Sequence, residues 1–333
     1  MKLLNLVGLA ALIAGGYFFY NHFQIQGIEN LKIKPKNVRL DGPSQPGAAE
    51  NPVPVAAGAG GERAAIRVAS INLRPLDQDK LGKAHVVGRL AEMIRGFDVI
   101  AIQGIVARNQ SPVVYLVEQV NAAGRHYDFA TSANVGTEPV QEYTGILFDR
   151  ATVEIDRTTI CLVEDPSGRI RHEPLVASFR ARGPAPTEAF TFSLVSVDVD
   201  PGQAATELDL MDDVFRAVRD DGRGEDDVIL VGYLNADDQH LGQLAEVPNI
   251  TWAISGLPTT TRGTRLSQNI LFEARATNEF SGRSGVMDLM RQFNLSLRDA
   301  VEISDHLPVW AEFSVYEAGQ AGHIVASGGM AAR

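Results

Sequence analysis

The chain has 333 residues and a mass of 36.0 kDa, enough for one large domain or two small ones. Hydrophobic residues make up 45% and charged residues 21%, which excludes a fully disordered chain, and the single cysteine, Cys161, excludes an internal disulfide and a cysteine-rich zinc site. The net charge is -11, and after residue 62 stand 25 Lys/Arg against 37 Asp/Glu, so the main body has no overall attraction for a phosphate backbone and nucleic acid is the disfavoured partner.

An apolar run from Leu6 to Tyr20 closes with Tyr17, Phe18, Phe19 and Tyr20. Taken from Leu3 to Phe23 it approaches the ~20 residues that cross a bilayer, and its aromatic end suits the membrane interface. Residues 1–23 therefore read as a single-pass membrane anchor, with a removed signal peptide and a buried core helix as the other readings. Lys32, Lys34, Lys36 and Arg39 pull the downstream flank toward the cytoplasm. The short amino-terminal side with Lys2 suits an anchor that exports its domain, the orientation preferred here. Residues 24–63, with Pro43, Pro46, Pro52 and Pro54 among Gly and Ala, read as a flexible linker. Residues 64–316 read as one domain and 317–333 as a disordered tail.

Within the domain, Ile66–Asn72 and Val99–Gln103 read as strands on either side of an amphipathic helix over Lys83–Arg95, and Pro112–Ala122 reads as a second helix. Tyr143–Phe148, Thr159–Val163, Leu175–Arg180 and Phe190–Val197 read as short strands. The spacing of Leu208, Met211, Val214, Phe215 and Val218 predicts one long helix from Gly202 to Arg219, with Asp212 and Asp213 on its solvated face. Val228–Val231, Asn269–Phe272 and Leu307–Ser314 read as buried strands, and the glycine-rich segment at 282–285 reads as a turn. Two rounds of strand–helix–strand separated by hairpins imply a layered α/β domain with sheets buried between helices.

Polar residues stand where several apolar strands end: Asn72, Gln103 and Gly104, Asp198 and Asp200, Asn235 with Asp237 and Asp238, and Ser304-Asp305-His306. Strand ends of α/β proteins are where ligands and catalytic groups gather. The same residue types also form turns and caps, and Asn72, Ser304 and Asp305 can serve by hydrogen-bonding buried loop backbone.

Five stretches taken together resemble the endonuclease/exonuclease/phosphatase superfamily, and within it the deoxyribonuclease I branch: RVASINLRPL, DVIAIQGI, LVSVDVDP, VILVGYLNAD and ISDHLPVWAEF. The resemblance implies a four-layered α/β sandwich of two packed sheets flanked by helices. It also implies phosphodiester or phosphomonoester hydrolysis assisted by Mg²⁺ or Mn²⁺. Asn72, Asn235, Asp305 and His306 stand where active members of the family have them. The metal-binding Glu of the family falls on Gly104, the motif His on Asp198, the Asp of the Gly-Asp-x-Asn segment on Tyr233 and a further Asp on Gln268. Near Glu142 and Tyr143 no family role carries over.

Mg²⁺ takes hard oxygen ligands, typically one or two carboxylates plus substrate phosphate, and Gly104 supplies none. The expectation is a membrane-tethered domain that has lost metal-dependent hydrolysis, needs no cofactor, and binds a protein or a phosphate-containing ligand. The alternative is an active Mg²⁺ or Mn²⁺ phosphodiesterase rebuilt around relocated carboxylates, with Asp198, Asp237 and Asp305 as the ligand set.

Overall fold

The computed structural model describes residues 32–35, 64–132, 141–319, 322 and 324. The expected anchor over 1–23 lies outside them. Among the described residues, no helix is long and apolar enough to cross a membrane. In chain order the strands are β1 (Lys32–Pro35), β2 (Ala65–Leu76), β3 (Val99–Val106), β4 (Tyr127–Thr131), β5 (Glu142–Asp149), β6 (Val153–Glu164), β7 (Leu175–Ala181), β8 (Thr191–Asp198), β9 (Val228–Tyr233), β10 (Ile250–Trp252), β11 (Gln268–Glu273), β12 (Phe280–Val286) and β13 (Val309–Ser314). The α-helices are α1 (Gln78–Leu81), α2 (Ala84–Ile94), α3 (Ser111–Asn121), α4 (Ala204–Leu208), α5 (Met211–Arg219), α6 (Leu289–Phe293) and α7 (Leu297–Ile303).

The strands form a six-stranded sheet, β12-β13-β2-β3-β5-β4, and a seven-stranded sheet, β1-β6-β7-β8-β9-β11-β10. Two pairs are parallel, β2 with β3 and β8 with β9, and every other pairing is antiparallel. Each parallel pair is joined by a helical crossover, as parallel neighbours require.

Period-two alternation along the strands builds the layers. On β2, Ile66 and Val68 enter the core between the sheets, while Ala69 and Ile71 meet the outer helices. On β9, Ile229 and Val231 face inward, and Val228 and Leu230 pack on Met211, Val214, Phe215 and Val218 of α5. Aromatic rings fasten the inter-sheet core: Phe190 and Phe192 stack at 5.0 Å, and Phe313 lies 5.5 Å from Phe272. Helices α2, α3, α6 and α7 cover the opposite face of the six-stranded sheet. The result is the four-layered sandwich that the sequence resemblance implied.

Five local expectations need correction. The helix predicted from Gly202 to Arg219 is two helices, α4 and α5, separated where Asp209 turns aside to accept from the Gln243 N–H at 3.4 Å. Asp212 and Asp213 are buried rather than solvated, because Arg216 approaches Asp212 at 3.5 Å and α5 packs beside β1 and β6. The stretch read as linker contains β1, which pairs antiparallel with β6 and closes an edge of the sheet that would otherwise expose its ladder. Residues 282–285 lie inside β12 at an irregularity in its pairing with β13. The tail expected from 317 begins with backbone that is held: Glu317 N–H donates to the Glu188 carbonyl at 2.9 Å.

Candidate active-site cleft

Toward one end of the sandwich, the face between the sheets changes from apolar to polar. The inward positions of β2 run Ile66, Val68, Ser70, Asn72; those of β8 run Phe192, Leu194, Ser196, Asp198; those of β9 run Ile229, Val231, Tyr233. Gln103 joins them on β3, accepting from Ser70 Oγ at 3.0 Å and donating to Ser196 Oγ at 3.4 Å across the two sheets. Gln268 enters from β11, in register with Tyr233. The alternation that makes the core thus also delivers the candidate residues to one place.

Gly104 has a φ of +74°. A Cβ built there would meet Arg74, whose backbone N and Cα would both stand 2.7 Å away, well inside contact distance. The pairing of β2 with β3 is irregular between Asn72 and Leu76, and this irregular segment brings Arg74 against Gly104. No side chain, and so no metal-binding carboxylate, has room at this position.

The Arg74 guanidinium instead pairs with Glu142 at the start of β5. Glu142 Oε2 also faces His172 Nε2 at 3.2 Å, off the line of a hydrogen bond. His172 is 5% exposed, and its Nδ1 lies 3.2 Å from the Asp198 backbone carbonyl. A carbonyl only accepts, so Nδ1 carries the hydrogen. Burial opposes charge on His172, but Glu142 and Asp198 outweigh it and hold the imidazolium above its ordinary range. His172, together with Arg74, holds Glu142 below the usual carboxylate range. Burial pushes Asp198 up, against the pull of His172 and Arg74. Asp198 Oδ1, His172 Nε2 and Arg74 Nε are buried without a hydrogen bond.

A second group lies at the ends of β9 and β11. The Tyr233 hydroxyl donates to Asn235 Oδ1 at 2.8 Å, and Arg265 donates to the same oxygen and to the Tyr233 hydroxyl at 3.3 Å. Asn235 adopts a φ of +53°, a region that Asn tolerates better than most residues. The His306 ring stands edge-on to Tyr233, with centroids 5.2 Å apart. His306 Nε2 is 3.8 Å from Asp305 Oδ1, too far for a hydrogen bond, and the Asp305 side chain is exposed. Burial lowers the pKa of His306, with Asp305 opposing. Burial thus favours the neutral imidazole of His306, and Asp305 does not orient its ring.

Asn72 and Gln268 act on backbone. Asn72 Oδ1 accepts from the Arg74 N–H at 2.9 Å, and Ser304 Oγ donates to the Asn72 carbonyl at 2.7 Å. Gln268 accepts from the Asn72 N–H at 2.9 Å and donates to the Leu307 carbonyl at 3.1 Å. An ionised Asp in that place could accept but not donate, so the neutral amide suits a brace between the sheets.

No family model matches the chain. It is 26% identical over 275 residues to deoxyribonuclease-1-like 2 of Homo sapiens, a match covering 74% of this chain and 91% of that protein. Deoxyribonuclease-1-like 1 of Cricetulus griseus is 28% identical over 272 residues, covering 77% of this chain and 86% of the relative. Among solved structures, D. rerio TDP2 humanized by 14 mutations aligns with a TM-score of 0.54 at 14% identity, over 75% of this chain and 98% of that one. The chain is deoxyribonuclease I-like in sequence and in fold.

Deoxyribonuclease I-like proteins are generally divalent-metal dependent, so the residues present can be tested for fit to Mg²⁺ or Mn²⁺. They do not fit. Gly104 offers no oxygen and no room, Gln268 and Tyr233 stand where the resemblance implies carboxylates, and Glu142 is already paired with Arg74 and faces His172. The relocated set does not assemble either. Asp237 is exposed on its loop and takes the His240 Nδ1 at 2.6 Å, Asp198 is buried beside His172, and Asp305 points to solvent. Among the described residues, the three-carboxylate groups close enough to share a cation are Glu225/Asp226/Asp227 and Asp227/Glu279/Glu317. Both lie at the other end of β9.

Sequence reasoning did not single out Arg74, His172 or Arg265. His172 and Arg74 sit between motifs, and only the folded chain brings them onto Glu142. The sole sequence signal for His172 was a His-Glu-Pro triplet directly before an apolar strand.

Proposed function

We propose that this chain is a membrane-anchored deoxyribonuclease I-like domain that has given up metal-dependent phosphodiester hydrolysis and serves as a binding module. The observation that carries this reading is the closed space at Gly104, where Arg74 backbone fills the volume a metal-binding side chain would need. The Arg74–Glu142–His172 group supports it, because the Glu142 carboxylate is already paired with the Arg74 guanidinium and faces His172.

The retained Asn235, with Arg265, borders a cavity of about 410 Å³ also lined by Leu208, Asp237 and His240. An arginine guanidinium beside amide and imidazole groups suits a phosphate-bearing ligand. The apolar run of residues 1–23 supports anchoring, with the domain on the exported side. The acidic balance of the domain disfavours nucleic acid as that ligand.

The test is hydrolysis of bis-nitrophenyl phosphate and nicking of plasmid DNA by the full-length chain, with Mg²⁺ or Mn²⁺ and then with EDTA. The expected result is no turnover above buffer in any condition. Turnover that disappears both in EDTA and in His306→Ala overturns the reading.

A further inference from the structure

The start of β1 and the cleft lie at the same end of the seven-stranded sheet. β1 meets β6 at Lys34↔Leu162, β6 meets β7 at Leu162↔Leu175, and β7 meets β8 at Leu175↔Ser196. All three pairings are antiparallel, so two residues further toward the cleft the same row carries Lys32 on β1 and Asp198 on β8. Asp198 is in turn in register with Tyr233. β1 and β8 are three strand spacings apart, about 14 Å at ~4.8 Å each. The chain therefore enters this sheet beside the cleft and not at the far end.

The length of chain before β1 limits where a bilayer can stand. Residues 24–31, eight in all, separate the apolar run that ends at 23 from Lys32. Fully extended, they span at most about 29 Å. The far end of β6, at Val153, is eight steps from the Glu164 level when counted along the facing β7, about 26 Å at ~3.3 Å per step. Reaching that end would take nearly the whole span, whereas the cleft end is where the segment begins.

The rim of the cleft supplies a second, independent observation. The loop between β10 and β11, residues 253–267, borders His306: the Thr259 carbonyl accepts from the Leu307 N–H at 2.7 Å. Leu257 on this loop is 50% exposed, the most exposed large apolar side chain among the described residues. Arg262 and Arg265 on the same loop are exposed, and the loop contains no Asp or Glu. Among the described residues, neither arginine forms an ion pair, so two uncompensated positive charges face solvent in an otherwise acidic domain.

We propose that the cleft end docks on the bilayer through this loop, and that the phosphate-bearing ligand of the cleft is a phospholipid headgroup. The inference rests on the anchored binding module proposed above and gives that module its orientation and its ligand. A guanidinium takes two oxygens of one phosphate. An apolar side chain on the same loop as two arginines suits the boundary between headgroups and acyl chains. The tether holds the loop within reach of lipid, so contacts that are weak singly suffice for docking.

The experiment places a bimane dye at Pro258→Cys on the rim, or at Thr187→Cys in the loop before β8 at the far end, in the full-length chain; both positions are exposed and Cys161 is buried. The chain is reconstituted in vesicles of phosphatidylcholine and phosphatidylglycerol, part of the lipid carrying a quenching nitroxide on its headgroup. The expected result is several-fold stronger quenching at 258 than at 187. Leu257→Asp with Arg262→Ala, and separately Arg265→Ala, should each weaken the quenching at 258 while the chain still floats with the vesicles. Inorganic phosphate at millimolar levels should leave it unchanged. Equal quenching at the two positions, or stronger quenching at 187, in a chain that floats overturns the docking and leaves the anchor standing. Full quenching at 258 in both variants, or its release by inorganic phosphate, overturns the lipid ligand. A chain that does not float overturns the anchor and this inference with it, whereas turnover in the hydrolysis assay overturns the loss of catalysis and leaves the docking intact.

Discussion

Gly104→Ala probes the closed cleft with a single methyl group. At a φ of +74° the added Cβ must enter the left-handed region and stand 2.7 Å from the Arg74 backbone. The left-handed backbone costs roughly 1–2 kcal/mol for a residue with a Cβ. Displacing packed neighbours costs a further ~1–3 kcal/mol. The neighbour here is the backbone of β2 rather than the end of a flexible side chain, so relief by rotamer change is not available. The combined loss of about 2–5 kcal/mol is a large part of the ~5–15 kcal/mol that a folded protein has in total. Urea denaturation of parent and variant reads it as a lower midpoint with an unchanged slope. A loss below about 1 kcal/mol, less than the left-handed backbone and the overlap should cost together, would mean that room exists at this position, and the reasoning would fail. Gly104→Glu should be at least as costly and should restore no hydrolysis.

Three further outcomes follow from the same geometry. Gln268→Leu leaves the Asn72 N–H and Leu307 carbonyl unpaired and should destabilise by about 1–3 kcal/mol for each group, read by the same denaturation. His172 has its pKa raised from 6.5 and Glu142 has its pKa lowered from 4.5, so their mutual stabilisation is complete between those values. It fades as pH rises through the folded value of His172 and as pH falls through that of Glu142; the stability gap between parent and His172→Gln, measured across pH, should follow that window. Deleting residues 1–23 should move the chain from a carbonate-resistant membrane fraction to the supernatant, and a protein that stays with the membrane would contradict the anchor.

The fold was legible because the inward positions of β2, β8 and β9 are apolar at one end and turn polar toward the other, where Ser70, Asn72, Ser196, Asp198 and Tyr233 appear. Those ends gave the location of the cleft, and the family resemblance gave the replaced positions Gly104 and Gln268. What replaced the lost residues was not legible. His172 meets Glu142 and Asp198 only because three non-adjacent stretches converge, and Arg74 reaches Gly104 through an irregularity in strand pairing that no residue pattern announces. The division between α4 and α5 escaped the helical spacing because Leu208 and Met211 keep that spacing across the break. The cluster of Asp227, Glu279 and Glu317 escaped for the same reason as His172, with its members separated by long stretches of chain.

The central claim, that the cleft no longer holds a cation, is tested most directly by paramagnetic broadening. Mn²⁺ is added to the Asp227→Asn chain, which keeps the distant carboxylate cluster out of play, and the imidazole resonances of His306 and His172 are followed. The account predicts that both stay sharp at Mn²⁺ levels equal to the protein. Selective loss of the His306 signal, reversed by EDTA, would place a metal ion in the cleft and contradict it.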